Sequence, residues 1–118
     1  MSVRINGESV SKYLDLTQEF NAQVSSYVLA LSDKNKMIDM SSTSAMTLSV
    51  PTNATPFPIG TQIHILQANS GQITVQPLIS GTTTINATPG LKLRAQWSSA
   101  TLIKRSTESW VLIGDLSA

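Results

Sequence analysis

Thr61-Gln62-Ile63-His64-Ile65-Leu66-Gln67 and Gln72-Ile73-Thr74-Val75-Gln76, separated by Asn69-Ser70-Gly71, decide the fold class of this chain. Apolar and polar side chains alternate along both runs, the period of two that sends neighbouring residues to opposite faces of a strand. The three small residues between them are turn formers. The spacing predicts a strand over 61–67, a turn, and a partner strand over 72–76. His64 has the opposite parity to Ile63 and Ile65, so it reads as a polar residue on an exposed or interface face.

Outward from this pair the same grammar repeats. Met46-Thr47-Leu48-Ser49-Val50 alternates apolar and hydroxyl residues. Pro51, Pro56 and Pro58 then exclude a central strand between 51 and 60, because proline lacks the N–H that a ladder needs. Phe57, held extended between two prolines, is expected to plug an opening of the core. Upstream, Tyr27–Leu31 and Lys36–Met40 flank the turn Asp33-Lys34-Asn35 and are expected to form a hairpin. Downstream, Thr82–Asn86 is a further strand. Leu91, Leu93, Ala95 and Trp97 share one parity, and Lys92, Arg94 and Gln96 the other. Thr101-Leu102-Ile103 and Trp110-Val111-Leu112-Ile113 are continuous apolar runs, expected to be covered on both faces and joined by a turn at Thr107-Glu108.

Short strands at this regular spacing predict an all-β fold, a small antiparallel β-sandwich or barrel of about eight short strands with an N-terminal arm or short helix. Residues 1–24 are read as the arm or short helix, and residues 25–118 as the β-domain. Within the first part, 9–17 fits one or two helical turns as well as an extended arm. Trp97, Trp110 and Phe57 are the expected core anchors. Each tryptophan can bury about 200 Å², worth at most about 5 kcal/mol.

The 118 residues suit one domain with a single core. A net charge of +1 gives no field that would drive the chain to nucleic acid or anionic lipid. Charged residues are 13 % of the chain, a low share consistent with surface hidden in an assembly or coated with Ser and Thr. No Asp, Glu, Lys or Arg occurs from Met40 to Leu91. With no cysteine, disulfides, a thiol nucleophile and thiolate metal sites are excluded. No apolar run reaches the length of a membrane span, and the first residues carry no signal-peptide pattern, so cytoplasmic synthesis is expected.

Catalysis is not expected. His64 is the one histidine, and no G-x-S-x-G elbow, H-E-x-x-H pair or calcium loop accompanies it. The acids fall mostly in the arm, at turns or at strand ends. No cofactor is expected. Lys92, Arg94, Lys104 and Arg105 are the one basic concentration. They read as a solvated rim or as electrostatic contacts with an acidic partner. Aromatic residues do not interleave with them, which disfavours single-stranded nucleic acid.

Residues 27 to 115 resemble a small β-domain of tailed-bacteriophage structural proteins. The resemblance lies in Tyr27–Asp33, Lys36–Met40, Leu48–Pro51, Phe57–Ile63, Leu91–Arg105 and Trp110–Leu116. It implies a head-decoration, head-fibre or tail-fibre role, self-association as a homotrimer, and no catalytic motif. The expected function is that of a capsid decoration (cement) protein on the virion surface. Its partners would be copies of itself and the major capsid protein or another virion protein, with neither nucleic acid nor membrane. The alternative is a tail-fibre or receptor-binding component that holds a host glycan. Val3, Arg4, Ile5, Tyr13, Leu14 and Leu16 are the expected capsid-contact residues of the arm.

Overall fold

The computed structural model describes residues 17–118 and, of the residues before them, only the backbone of Arg4–Ile5 and Glu8–Ser9. Those two segments, β1 and β2, pair antiparallel with each other. The 9–17 segment lies almost wholly outside the described residues, so the choice between helix and arm does too. Val3, Tyr13, Leu14 and Leu16 also lie outside them, as do the side chains of Arg4 and Ile5.

The body is built from β3 (Phe20–Gln23), β4 (Tyr27–Val28), β5 (Met37–Met40), β6 (Met46–Val50), β7 (Gln62–Gln67) and β8 (Ile73–Pro77). It continues with β9 (Thr84–Ala87), β10 (Lys92–Leu93), β11 (Ser99–Ser106), β12 (Ser109–Gly114) and β13 (Leu116–Ser117). A 3-10 turn covers Leu31–Asp33. One sheet has six strands in the order β3-β5-β7-β11-β12-β9, and the other has five in the order β13-β10-β8-β6-β4.

The first six of these strands form three successive coils: β3 with β4, β5 with β6, and β7 with β8. Each coil gives one strand to each sheet, and the coils stack with parallel pairing, β3 on β5 on β7 and β4 on β6 on β8. The arrangement is solenoid-like, and the sheets are mixed. This corrects the expected antiparallel sandwich or barrel. Tyr27–Val28 and Met37–Met40 are not hairpin partners, nor are β7 and β8, because each pair is split between the two sheets. Corners of equal length over 41–45 and 68–72 stack directly, with the Gly71 N–H donating to the Ser42 carbonyl at 2.8 Å. The Gln67 side chain braces its own corner by donating to the Asn69 carbonyl at 3.2 Å and accepting from the Ile73 N–H at 3.2 Å.

After the third coil the chain reverses. β11 pairs antiparallel with β7, and β12 antiparallel with β11, as the hairpin expected around Thr107-Glu108. β10 and β13 extend the other sheet antiparallel to it. Residues 20–23, counted with the arm in the sequence reading, form the edge strand β3.

The core lies between the sheets. In-register apolar pairs such as Ile38–Ile65 and Leu48–Val75 stack across coils and are fully buried. Trp110 is 1 % exposed, and Phe57 stands edge-on to it with ring centroids 5.6 Å apart. Both sit where the sequence placed them. Trp97 does not: it is 67 % exposed. The alternation that put it in the core breaks after Leu93. Residues 94–98 form a turn in which the Ser98 N–H donates to the Ala95 carbonyl, and Trp97 takes φ 71°. β11 and β12 are covered on one face only, since their burial alternates. Their other face also carries apolar residues, Ile103, Val111 and Ile113.

Candidate interaction surface

Two buried polar hubs fix loops to the sheets. Asp33 accepts from the Tyr27 hydroxyl at 2.7 Å, the Asn21 amide at 2.8 Å and the Ala30 N–H at 2.8 Å. It thereby joins β3, β4 and the 3-10 turn. Burial, and then the hydrogen bond to Asp33, push the Tyr27 hydroxyl above its usual pKa. The second hub is Lys104, 3 % exposed, whose ammonium donates to Asn53 Oδ1 at 2.6 Å and to the Phe57 carbonyl at 2.8 Å. Glu108 completes this network by accepting from the Asn53 N–H at 2.9 Å and the Thr83 hydroxyl at 3.0 Å.

The four basic residues therefore do not act together. Lys104 faces inward with Ala100 and Leu102 and is unavailable to a partner, which corrects its reading as an electrostatic contact. Arg94 forms a two-pronged ion pair with Asp115, both bonds at 2.9 Å. That pairing, followed by the Ser98 hydroxyl, holds the Asp115 carboxyl below its usual range. Arg94 does not share a strand face with Lys92, because β10 ends at Leu93. Lys92 and Arg105 are exposed and remain free to meet an acidic surface.

The outer faces of the two sheets differ in chemistry. On the five-stranded sheet, Ser117, Lys92, Thr74 and Thr47 lie in one register row, and Gln76, Ser49 and Val28 in the next. That face is hydroxyl-rich. On the six-stranded sheet one row runs Phe20, Met37, His64, Thr101, Ile113. The adjacent rows run Ala22, Asp39, Leu66, Ser99 on one side, and Gln62, Ile103, Val111, Asn86 on the other. Phe20 and Ile113 are 59 % and 58 % exposed. The His64 ring nitrogen Nδ1 is 2.9 Å from the Thr101 hydroxyl, a cross-strand pair on the outer surface as its parity required.

The apolar residues of this outer face were missed in the sequence. Its signal was there: the continuous apolar runs of β11 and β12 mark two apolar faces, only one of which the fold buries. No family model, curated protein or solved structure matches this chain. Among the described residues, no three His, Asp or Glu side chains are grouped to hold a metal. No described helix is long and apolar enough to cross a membrane. What the surface offers is a sheet face on which exposed apolar residues, Phe20 and Ile113, stand among uncharged polar ones, backed by a hydroxyl-rich face.

Proposed function

We propose that this chain is a non-catalytic structural component of a bacteriophage particle, a capsid decoration protein that assembles as a homotrimer and binds the outer shell. One observation supports the reading most: the two outer faces are unlike, one carrying exposed Phe20 and Ile113 suited to protein contact and the other hydroxyl-rich and suited to water. Exposed apolar residues grouped on one sheet face, as Phe20 and Ile113 are, favour association. The resemblance over residues 27–115 adds the virion context. The stacked coils add rigidity, since every coil is hydrogen-bonded to the next along both sheets. Residues 1–16 would add a further contact along the shell. Copy number per particle, measured by quantitative mass spectrometry of purified virions, tests the proposal. Hundreds of copies agree with it, and a handful would defeat it.

Trp97 favours a second reading, a tail component that binds a host glycan. A non-glycine residue at φ 71° is strained, and here the strain presents an indole 67 % exposed to solvent. An exposed indole face of this kind can stack on a sugar ring. Loss of host-cell binding by Trp97→Ala, with the fold intact, would support that reading.

A further inference from the structure

We infer that the end of the molecule built from the stacked coil corners binds a neutral saccharide, held by the Trp97 indole and by hydroxyl and amide groups of the neighbouring corners. The inference rests on the second reading above, that the exposed indole meets a glycan, and adds where the sugar lies and which class it belongs to. Four turns of chain meet at this end. Those over 24–26, 41–45 and 68–72 are the corners of the three coils, and 94–98 is the turn that precedes β11. Backbone hydrogen bonds lock them tier on tier. The Ser41 N–H donates to the Gln23 carbonyl at 2.9 Å, the Ala68 N–H to the Met40 carbonyl at 2.8 Å, and the Trp97 N–H to the Gln67 carbonyl at 2.7 Å. Trp97 thus stands on the fourth tier. Three steps at ~4.8 Å make a lane of about 14 Å, room for a short oligosaccharide.

Three observations give the class of ligand. The first is the indole itself. Glycine would take φ 71° without strain, so the turn does not require a tryptophan, and the core does not use this one. Its backbone is held before any ligand arrives. Beside it the Ser98 N–H donates to the Ala95 carbonyl at 3.0 Å, and the Ser98 hydroxyl to Asp115 at 2.7 Å. A flat apolar ring fixed in water matches the C–H face of a pyranose, and its prior ordering lowers the cost of binding. The second is the polar lining. Thr43 and Ser44 are exposed on one corner, and Asn69 and exposed Ser70 lie on the next. The exposed Gln96 amide reaches to within 3.5 Å of the Ala68 carbonyl and so bridges two tiers. Hydroxyls and amides both donate and accept, as sugar hydroxyls require. The third is charge. The corners over 24–26, 41–45 and 68–72 contain no Asp, Glu, Lys or Arg. In the fourth turn Arg94 is already engaged by Asp115 through two bonds of 2.9 Å. An acidic sugar would find no free cation in these four turns, whereas a neutral one needs none.

The test is a glycan array carrying neutral hexose and N-acetylhexosamine oligosaccharides beside sialylated and phosphorylated ones, probed with the full chain. Neutral glycans should be retained, and raising the salt concentration should leave their binding unchanged, because no charges are paired. Trp97→Gly should weaken binding by about tenfold or more, since the stacking face is lost. Ser70→Lys, which puts a long charged side chain on the neighbouring corner, should weaken it as well. Both positions are exposed, so circular dichroism should report the same fold for each variant. If Trp97→Gly does not fold, Ser70→Lys carries the test alone. Retention of no neutral glycan overturns the inference, and so does retention of anionic glycans only. Binding that either folded variant leaves unchanged overturns it too. Attachment to intact host cells, measured separately, reports on the second reading. Cells bound through Trp97 with no neutral glycan retained would leave that reading standing and this inference overturned.

Discussion

The Lys104 ammonium lies 5.9 Å from the centroid of the Trp110 ring and inside the core side of its sheet. With Phe57 edge-on to the same indole, a charge, two aromatic rings and a proline-rich loop are held in one cluster. The loop supplies what the charge requires, Asn53 Oδ1 and the Phe57 carbonyl. A buried ammonium is tolerated only when its donors are met in this way.

Lys104→Met should therefore destabilise the chain by about 2–4 kcal/mol, because two acceptors lose a charged donor while the volume is kept. Urea denaturation should show a lower midpoint with an unchanged slope. A midpoint equal to wild type would mean that the loop is held by its prolines and Phe57 alone.

Tyr27 gives a pH signature. Its hydroxyl titrates above the ordinary 10.0, so it keeps its proton when folded at pH values where the unfolded chain has lost it. The stability it contributes is full below pH 10.0 and falls as pH rises through the higher folded value. Tyr27→Phe should cost about 1–2 kcal/mol near neutrality, from the lost bond to Asp33. It should also lose stability less steeply than wild type above pH 10.0. Denaturation midpoints compared on both sides of that pH decide the matter.

Gly71→Ala probes the stacking of coils. An added Cβ would collide with the backbone carbonyl oxygens of Ser44 and Ser42, the corner of the coil below. Neither contact can yield as a flexible side-chain end would. The substitution should destabilise by about 1–3 kcal/mol or more, read as a lower thermal midpoint. Gly81→Ala, with nothing within 4 Å but φ 89°, serves as a comparison that carries backbone strain without collision.

The two tryptophans should behave oppositely. Trp110→Ala should cost roughly 3–5 kcal/mol through the cavity it leaves. Trp97→Gly removes an exposed ring and relieves a positive φ, worth about 1–2 kcal/mol for a non-glycine residue, against the added freedom of the unfolded chain. Its thermal midpoint should match or exceed that of wild type. A large loss at Trp97 would contradict its exposed position.

The sequence by itself determined that the chain is all-β, where most strands lie, that the 51–60 segment is a loop, and that Trp110 and Phe57 are interior. Each of these follows from local chemistry: the period of two, the missing proline N–H, and the apolar area of an aromatic ring. Pairing was not legible, because alternation is the same whether a strand turns back on its neighbour or passes to the other sheet and meets the next coil. Asn69-Ser70-Gly71 can serve either as a hairpin turn or as a solenoid corner. Only stacking against residues 41–45, one coil earlier, makes it a corner. Lys104 shows the same limit. It was read as a rim or partner contact although it shares the parity of Leu102, and whether a charge can stay inside depends on Asn53 and the Phe57 carbonyl, some fifty residues away. The grouping of Phe20 and Ile113 on one outer face is likewise a tertiary property, since they come from strands distant in the chain and share a surface only when the sheet is assembled.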